Sequence, residues 1–199
     1  TVTLTKTGTA AEGLDYTLSN NIVVLAGNFS ASVTLAAIDE NPALDEDDET
    51  VIITGSCSGT SNCSEGATMQ KTVTIVDEDE FPTVALSVVP TTIDEEIGPT
   101  TNAVATVTAT LSAIAGRNVT TTLIKSGSAT ENKDYTLSNT IVIPTGAISA
   151  STTLASMSDL IDEINETVVI DISFVVNGVE KDGFQQQTVT ITDDELFPT

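Results

Sequence analysis

The chain has 199 residues, enough for one large domain or two of about 100 residues. Hydrophobic residues make up 40% but aromatics only 4%, with no Trp, so any core must be assembled from Val, Ile, Leu and Ala. Twenty-nine Asp and Glu against six Lys and Arg give a net charge of −23, a surface that repels nucleic acid and anionic membranes and suits hard divalent cations.

Threonine beside Val or Ile recurs throughout, which favours strands over helices. The chain opens at Thr1 inside a strand-like pattern, as expected of a window cut from a longer array. Asp15–Asn20 leads to a turn at Gly27 and a strand-like run at Ala31–Ala36. Acids gather at Asp39-Glu40 and Asp45–Glu49, before the strand Glu49–Ile53. Cys57 and Cys63 bracket a loop of Gly, Ser and Asn, the setting of a short disulfide and therefore of an oxidising compartment. Two cysteines with no histidine make no zinc site. The strand Thr72–Ile75 and the acids Asp77–Glu80 lead into Phe81-Pro82-Thr83.

From there the sequence repeats itself. Asp15–Asn20 (Asp-Tyr-Thr-Leu-Ser-Asn) returns as Asp134–Asn139, Ala31–Ala36 as Ala150–Ala155, Glu49–Ile53 as Glu166–Ile170, and Thr72–Ile75 as Thr188–Ile191. The offset falls from 119 to 117 to 116, so only short loop changes separate the copies. The predicted domains are 1–82 and 83–199. The first copy has no match to two strand-like runs of the second, Val84–Val89 and Ala103–Leu111. Asn177-Gly178 predicts a hairpin after Phe174–Val176. Short strands at this spacing, without a run of helical period, predict an all-β chain of two tandem antiparallel β-sandwiches, the first lacking its N-terminal strands. No apolar run of about 18 residues is present to span a membrane.

The acids lie at strand ends and in loops. If those loops converge, unit charges about 4 Å apart repel by roughly 1 to 4 kcal/mol per pair, and calcium, taking six to eight oxygens, removes that repulsion. The competing reading is a solvated acidic face. Recurrence of the same positions in both copies argues for the site. With no histidine a Ser-His-Asp arrangement is impossible, and seven Phe and Tyr are too few for the sugar platforms of a paired-carboxylate glycosidase, so no enzyme is expected. Four glycosylation-type triplets, among them Asn28-Phe29-Ser30, are what chance gives a Thr-rich chain.

Thr130–Thr136, Pro144-Thr145-Gly146, Asp159 to Val168 and Thr190–Glu195, in that order, resemble the Calx-β motif. That family occurs in sodium–calcium exchanger sensor domains, in an integrin cytoplasmic region and in very large bacterial surface proteins. The resemblance implies an immunoglobulin-like sandwich with calcium at the end near the C-terminal acids. Carried over by position, the implied metal ligands of the second copy are Glu95, Asp134, Asp159, Glu163, Glu166, Asp193, Asp194 and Glu195, with the carbonyl of Ile161 as a candidate. Those of the first copy are Asp15, Glu40, Glu46, Glu49, Asp77, Glu78 and Asp79. Ser158 stands where the family has an Asp, Glu78 and Glu195 replace Asp in the final triplets, and the first copy has no counterpart of Glu95. These departures make one Ca2+ per site the expectation.

Three functions compete. In the first, the copies form the stalk of an extracellular or cell-surface adhesin, bacterial in type, with calcium stiffening each joint and neighbouring repeats and other surface proteins as partners. The second is a regulatory calcium sensor, the third a protein- or carbohydrate-binding module. The array period, the Cys57–Cys63 loop and the scarcity of aromatics favour the stalk.

Overall fold

The computed structural model describes residues 1–39, 44–57, 64, 66, 69–95, 103–158, 161–183 and 185–193. They fall into two units, Thr1–Asp79 and Glu80–Thr199. Among the described residues every regular element is a strand.

In unit 1, β1 (Val2–Gly8), β3 (Asn21–Ile22), β5 (Glu49–Cys57) and β6 (Gln70–Ile75) form a sheet of order β3-β1-β5-β6, while β2 (Tyr16–Thr17) pairs β4 (Ala36–Ala37) apart from it. Unit 2 holds two five-stranded sheets. One joins β8 (Thr92–Asp94), β10 (Val119–Gly127), β12 (Thr140–Ile143), β14 (Glu166–Val176) and β16 (Gln187–Thr192) in the order β12-β10-β14-β16-β8. The other joins β7 (Thr83–Val89), β9 (Val104–Leu111), β11 (Tyr135–Thr136), β13 (Ser149–Ser156) and β15 (Val179–Glu180) in the order β11-β13-β9-β7-β15.

Alternation builds the sandwich of unit 2. Successive strand residues point to opposite faces, so one face of β7 presents Val84, Leu86 and Val88, and one face of β9 presents Ala105, Val107, Ala109 and Leu111. These meet Val119 and Leu123 of β10, Val168 and Ile170 of β14, and Val189 and Ile191 of β16 in one buried cluster. The small Ala positions let two strands rich in β-branched residues close over the facing sheet.

Unit 1 repeats one of these sheets without the other's central strands. β1, β3, β5 and β6 match β10, β12, β14 and β16, but β7, β8 and β9 have no counterpart among its described residues. Its core is correspondingly small: Leu4, Tyr16, Leu18 and Val51 are buried. Val73 of β6 is 37% exposed where Val189 of β16 is 0% exposed. A groove of about 590 Å³ lined by Val2, Leu4, Ile22, Val24, Leu35, Ile53 and Val73, among others, opens over the face that unit 2 seals with β7 and β9.

One local expectation fails. Asn177 adopts the left-handed φ of 57° that an Asn-Gly turn uses, yet β15 does not fold back on β14 as a hairpin. It pairs in parallel with β7, with the Val179 amide donating to Pro82 O at 3.1 Å and the Lys181 amide to Val84 O at 2.9 Å. The unpaired edge of β7 captures the strand, so the turn passes the chain from one sheet to the other.

Candidate metal centre

Each site is built at one end of the sheet whose strand order recurs in both units, β3-β1-β5-β6 in unit 1 and β12-β10-β14-β16 in unit 2. β1 and β10 both end in glycine, Gly8 at φ 130° and Gly127 at φ 117°. A side chain cannot be accommodated there: a Cβ on Gly127 would lie 2.1 Å from Thr167 O, and on Gly8 2.0 Å from Thr50 O. This close approach sets the end of β10 against the start of β14, where Glu166 stands. The chain then turns through a loop that carries Asp134. Asp134 is fixed by its own backbone: its Oδ2 accepts from the Thr130 amide at 2.5 Å, its amide donates to Thr130 O at 3.0 Å, and its carbonyl accepts from the Met157 amide at 2.9 Å. Asp15 has the same three bonds, to Ala11 on both counts at 2.5 and 3.0 Å and to the Ile38 amide at 2.9 Å.

The result is one carboxylate triad per unit. Oxygens of Asp15, Glu46 and Glu49 lie within 4.8 Å of one another, and so do those of Asp134, Glu163 and Glu166. The residues correspond one to one in the repeat. The acids after the last strand tie in the neighbouring loop. The Glu163 amide donates to Asp193 Oδ1 at 3.1 Å, as the Glu46 amide does to Asp77 Oδ2 at 3.4 Å; the Leu44 amide donates to Asp79 Oδ2 at 2.9 Å. Glu95, beyond β8, is buried and holds its place through its amide, which donates to Thr192 O at 2.8 Å.

The charges feel one another. Burial pushes the Glu166 carboxyl up to about 7, helped by a hydrogen bond with Asp134 and by the charges of Asp134, Glu163 and Glu95. At neutral pH Glu166 is therefore only partly ionised. Burial also raises the Tyr135 phenol, with Glu131 and Asp134 adding to it, so that ring stays neutral.

Six of the sequence-predicted ligands of unit 1, namely Asp15, Glu46, Glu49, Asp77, Glu78 and Asp79, line a single cavity of about 390 Å³. The seventh, Glu40, lies outside the described residues. In unit 2 the structure brings together Asp134, Glu163 and Glu166, puts Glu95 within electrostatic reach and links Asp193 to Glu163. Asp159, Asp194 and Glu195 lie outside the described residues, and Ile161 is 59% exposed. Asp39 and Asp47 also line the unit 1 cavity and were missed. The signal for Asp39 was present, because Asp39-Glu40 occupies the acidic pair that the family resemblance describes. No described cysteine is free, and Cys57 is disulfide-bonded; its expected partner Cys63 lies outside the described residues.

The donor set fits calcium. It is oxygen only, and two oxygens each about 2.4 Å from one ion can lie no more than about 4.8 Å apart. With no histidine in the chain and no free cysteine among the described residues, a softer metal has no preferred ligand here.

No family model matches the chain, and no curated protein matches it. Solved structures do resemble it. The apo-form CBD1 domain of Calx is 18% identical over 58% of this chain and 100% of that one, with a TM-score of 0.46. CBD12 from CALX1.2 is 17% identical over 55% of this chain and 45% of that one, with a TM-score of 0.45. The calcium binding domain CBD12 of CALX1.1 is 14% identical over 96% and 87%, with a TM-score of 0.37.

Proposed function

We propose that each unit is a calcium-binding module and that the chain is part of a structural repeat array at the outer surface of a cell. The observation that carries the calcium reading is the same carboxylate triad assembled twice, from the same three repeat positions, by the same backbone bonds. An acidic face kept only for solvation has no need to fix its carboxylates by hydrogen bonds to particular amides. The disulfide state of Cys57 supports an oxidising compartment. Asp77–Asp79 stand one residue before Phe81-Pro82 in the chain, so an ion held by them restrains the segment leading into the connection, and Pro82 limits its bending. Neighbouring repeats and other surface proteins are the partners this reading implies.

The test is calorimetric calcium titration of the whole chain. Asp134→Ala should remove the unit 2 site and leave that of unit 1, while Asp171→Ala, in the middle of β14, should leave both. Heats that never saturate, or titrations indifferent to Asp134, would reduce the clusters to surface charge. Small-angle scattering with calcium and with chelator tests the mechanical part, which identical profiles would remove.

A further inference from the structure

The chain has only six Lys and Arg against 29 acids, yet two of the six occupy equivalent places in the two copies. Lys125 lies on β10 two residues before Gly127, and Lys6 on β1 two residues before Gly8. Both side chains are 8% exposed, an unusual depth for a lysine. Both make the same two bonds. Lys125 Nζ donates to Leu137 O at 3.0 Å and pairs with the Glu131 carboxylate. Lys6 Nζ donates to Leu18 O at 2.9 Å and pairs with the Glu12 carboxylate. The bonded residues bracket the triad aspartate symmetrically: 131 and 137 lie three residues either side of Asp134, and 12 and 18 three either side of Asp15. The ammonium thus fastens both ends of the loop that carries the aspartate to the strand that carries the lysine.

We propose that Lys125 and Lys6 are positioning residues for calcium, acting through the loops of Asp134 and Asp15. This rests on the calcium reading of the triads. The role has a signature that a background charge lacks. A cation near a calcium site repels calcium, so if Lys125 were only a charge, its removal would tighten binding. If it holds Asp134 in place, removal lets the loop spread over many conformations and weakens binding.

The experiment is a calcium titration of the full chain followed by ¹⁵N–¹H correlation spectra, reading the amides of residues 129–137 for unit 2 and 10–18 for unit 1. Lys125→Met keeps the apolar stem and removes charge and donors. It should weaken calcium at unit 2 by roughly ten- to a hundredfold, the usual effect of losing a support behind a metal ligand, and leave unit 1 unchanged. Lys125→Arg, which keeps charge and donors, should recover most of the loss. Melting in chelator is measured alongside, because a merely structural lysine would lower it without moving the dissociation constant. Calcium binding unchanged or tighter in Lys125→Met overturns the proposal while leaving the calcium site standing. A wild-type chain that binds no calcium overturns both. Lys6→Met puts the same question to unit 1 and decides it should Lys125→Met not fold.

Discussion

Glu166→Gln should stabilise unit 2 without calcium and destabilise it with calcium. The substitution keeps the shape of the side chain and removes its charge. The oxygens of Asp134, Glu163 and Glu166 lie within 4.8 Å of one another. At that separation a pair of unit charges repels by about 1 kcal/mol at a dielectric of 80 and about 3.5 kcal/mol at 20. Glu163 is exposed, so the lower figure applies. Two pairs are relieved, for a gain of about 1 to 2 kcal/mol at pH 8, where Glu166, with its carboxyl at about 7, is ionised. A unit of this size should then melt roughly 4 to 8 °C higher in chelator. With saturating calcium the order reverses, because the ion has lost a charged ligand and the mass-action stabilisation shrinks with its affinity. The assay is thermal unfolding followed by circular dichroism, with and without calcium, at pH 8 and pH 5. At pH 5 the gain in chelator should vanish, since Glu166 is then already protonated. A lower melting point in chelator at pH 8, a gain persisting at pH 5, or an undiminished calcium shift would each refute the reasoning.

Three further outcomes follow from particular groups. The folded-state value of Glu166 lies above its ordinary 4.5, so its contribution is complete below that pH and is lost as pH rises through about 7; unit 2 in chelator should melt lower at pH 8 than at pH 5, and calcium should flatten the dependence. Thr121 is fully buried with its hydroxyl unpartnered among the described residues, and unit 1 has Val2 at the equivalent place, so Thr121→Val should raise the stability of unit 2 by about 1 kcal/mol in denaturant unfolding. Thiol labelling of the unreduced, denatured protein should find neither Cys57 nor Cys63 reactive, and reduction should cost on the order of 2 kcal/mol, the loop being short; two labelled thiols would exclude the pairing.

Part of this architecture was legible from alternation alone, and part because it is written twice. The runs Val84–Val89 and Ala103–Leu111 alternate cleanly and became β7 and β9; Asp15, Glu46, Glu49, Asp134, Glu163 and Glu166 were among the ligands implied by the family resemblance, which did not set them apart from the others. Asn177-Gly178 misled because a turn signal reports local φ and says nothing of which strand edge is open nearby; β7 offered one. The roles of Lys6 and Lys125 were hidden for a different reason. In a chain this acidic the eye follows the carboxylates, and a lysine on an alternating strand reads as solvent-facing. Only the folded loop shows that its ammonium is spanned by Glu131 and Leu137.

The two units keep the same triad over very different cores, and the sheet topology explains how. Asp15 follows β1, Glu46 precedes β5 and Glu49 opens it, and Asp77–Asp79 follow β6; these three strands are neighbours in the sheet that unit 1 retains. Its site therefore does not depend on the strands that cover unit 2, apart from one contribution. Glu95 sits beyond β8, for which unit 1 has no described counterpart. Unit 1 instead lines its cavity with Asp39 and Asp47 alongside the triad and Asp77–Asp79, where the positions equivalent to Asp39 and Asp47 in unit 2 are Ser158 and Ile164. Among the described residues unit 1 thus lacks the buried carboxylate of Glu95 but has one in Asp45, which is 3% exposed, and adds Asp39 and Asp47 from surrounding loops. A buried ligand is held in place before the ion arrives, whereas loop ligands lose conformational freedom on binding. Asp15 and Asp134 are held alike by three backbone bonds each, so in both units one ligand of the triad is in place before the ion arrives.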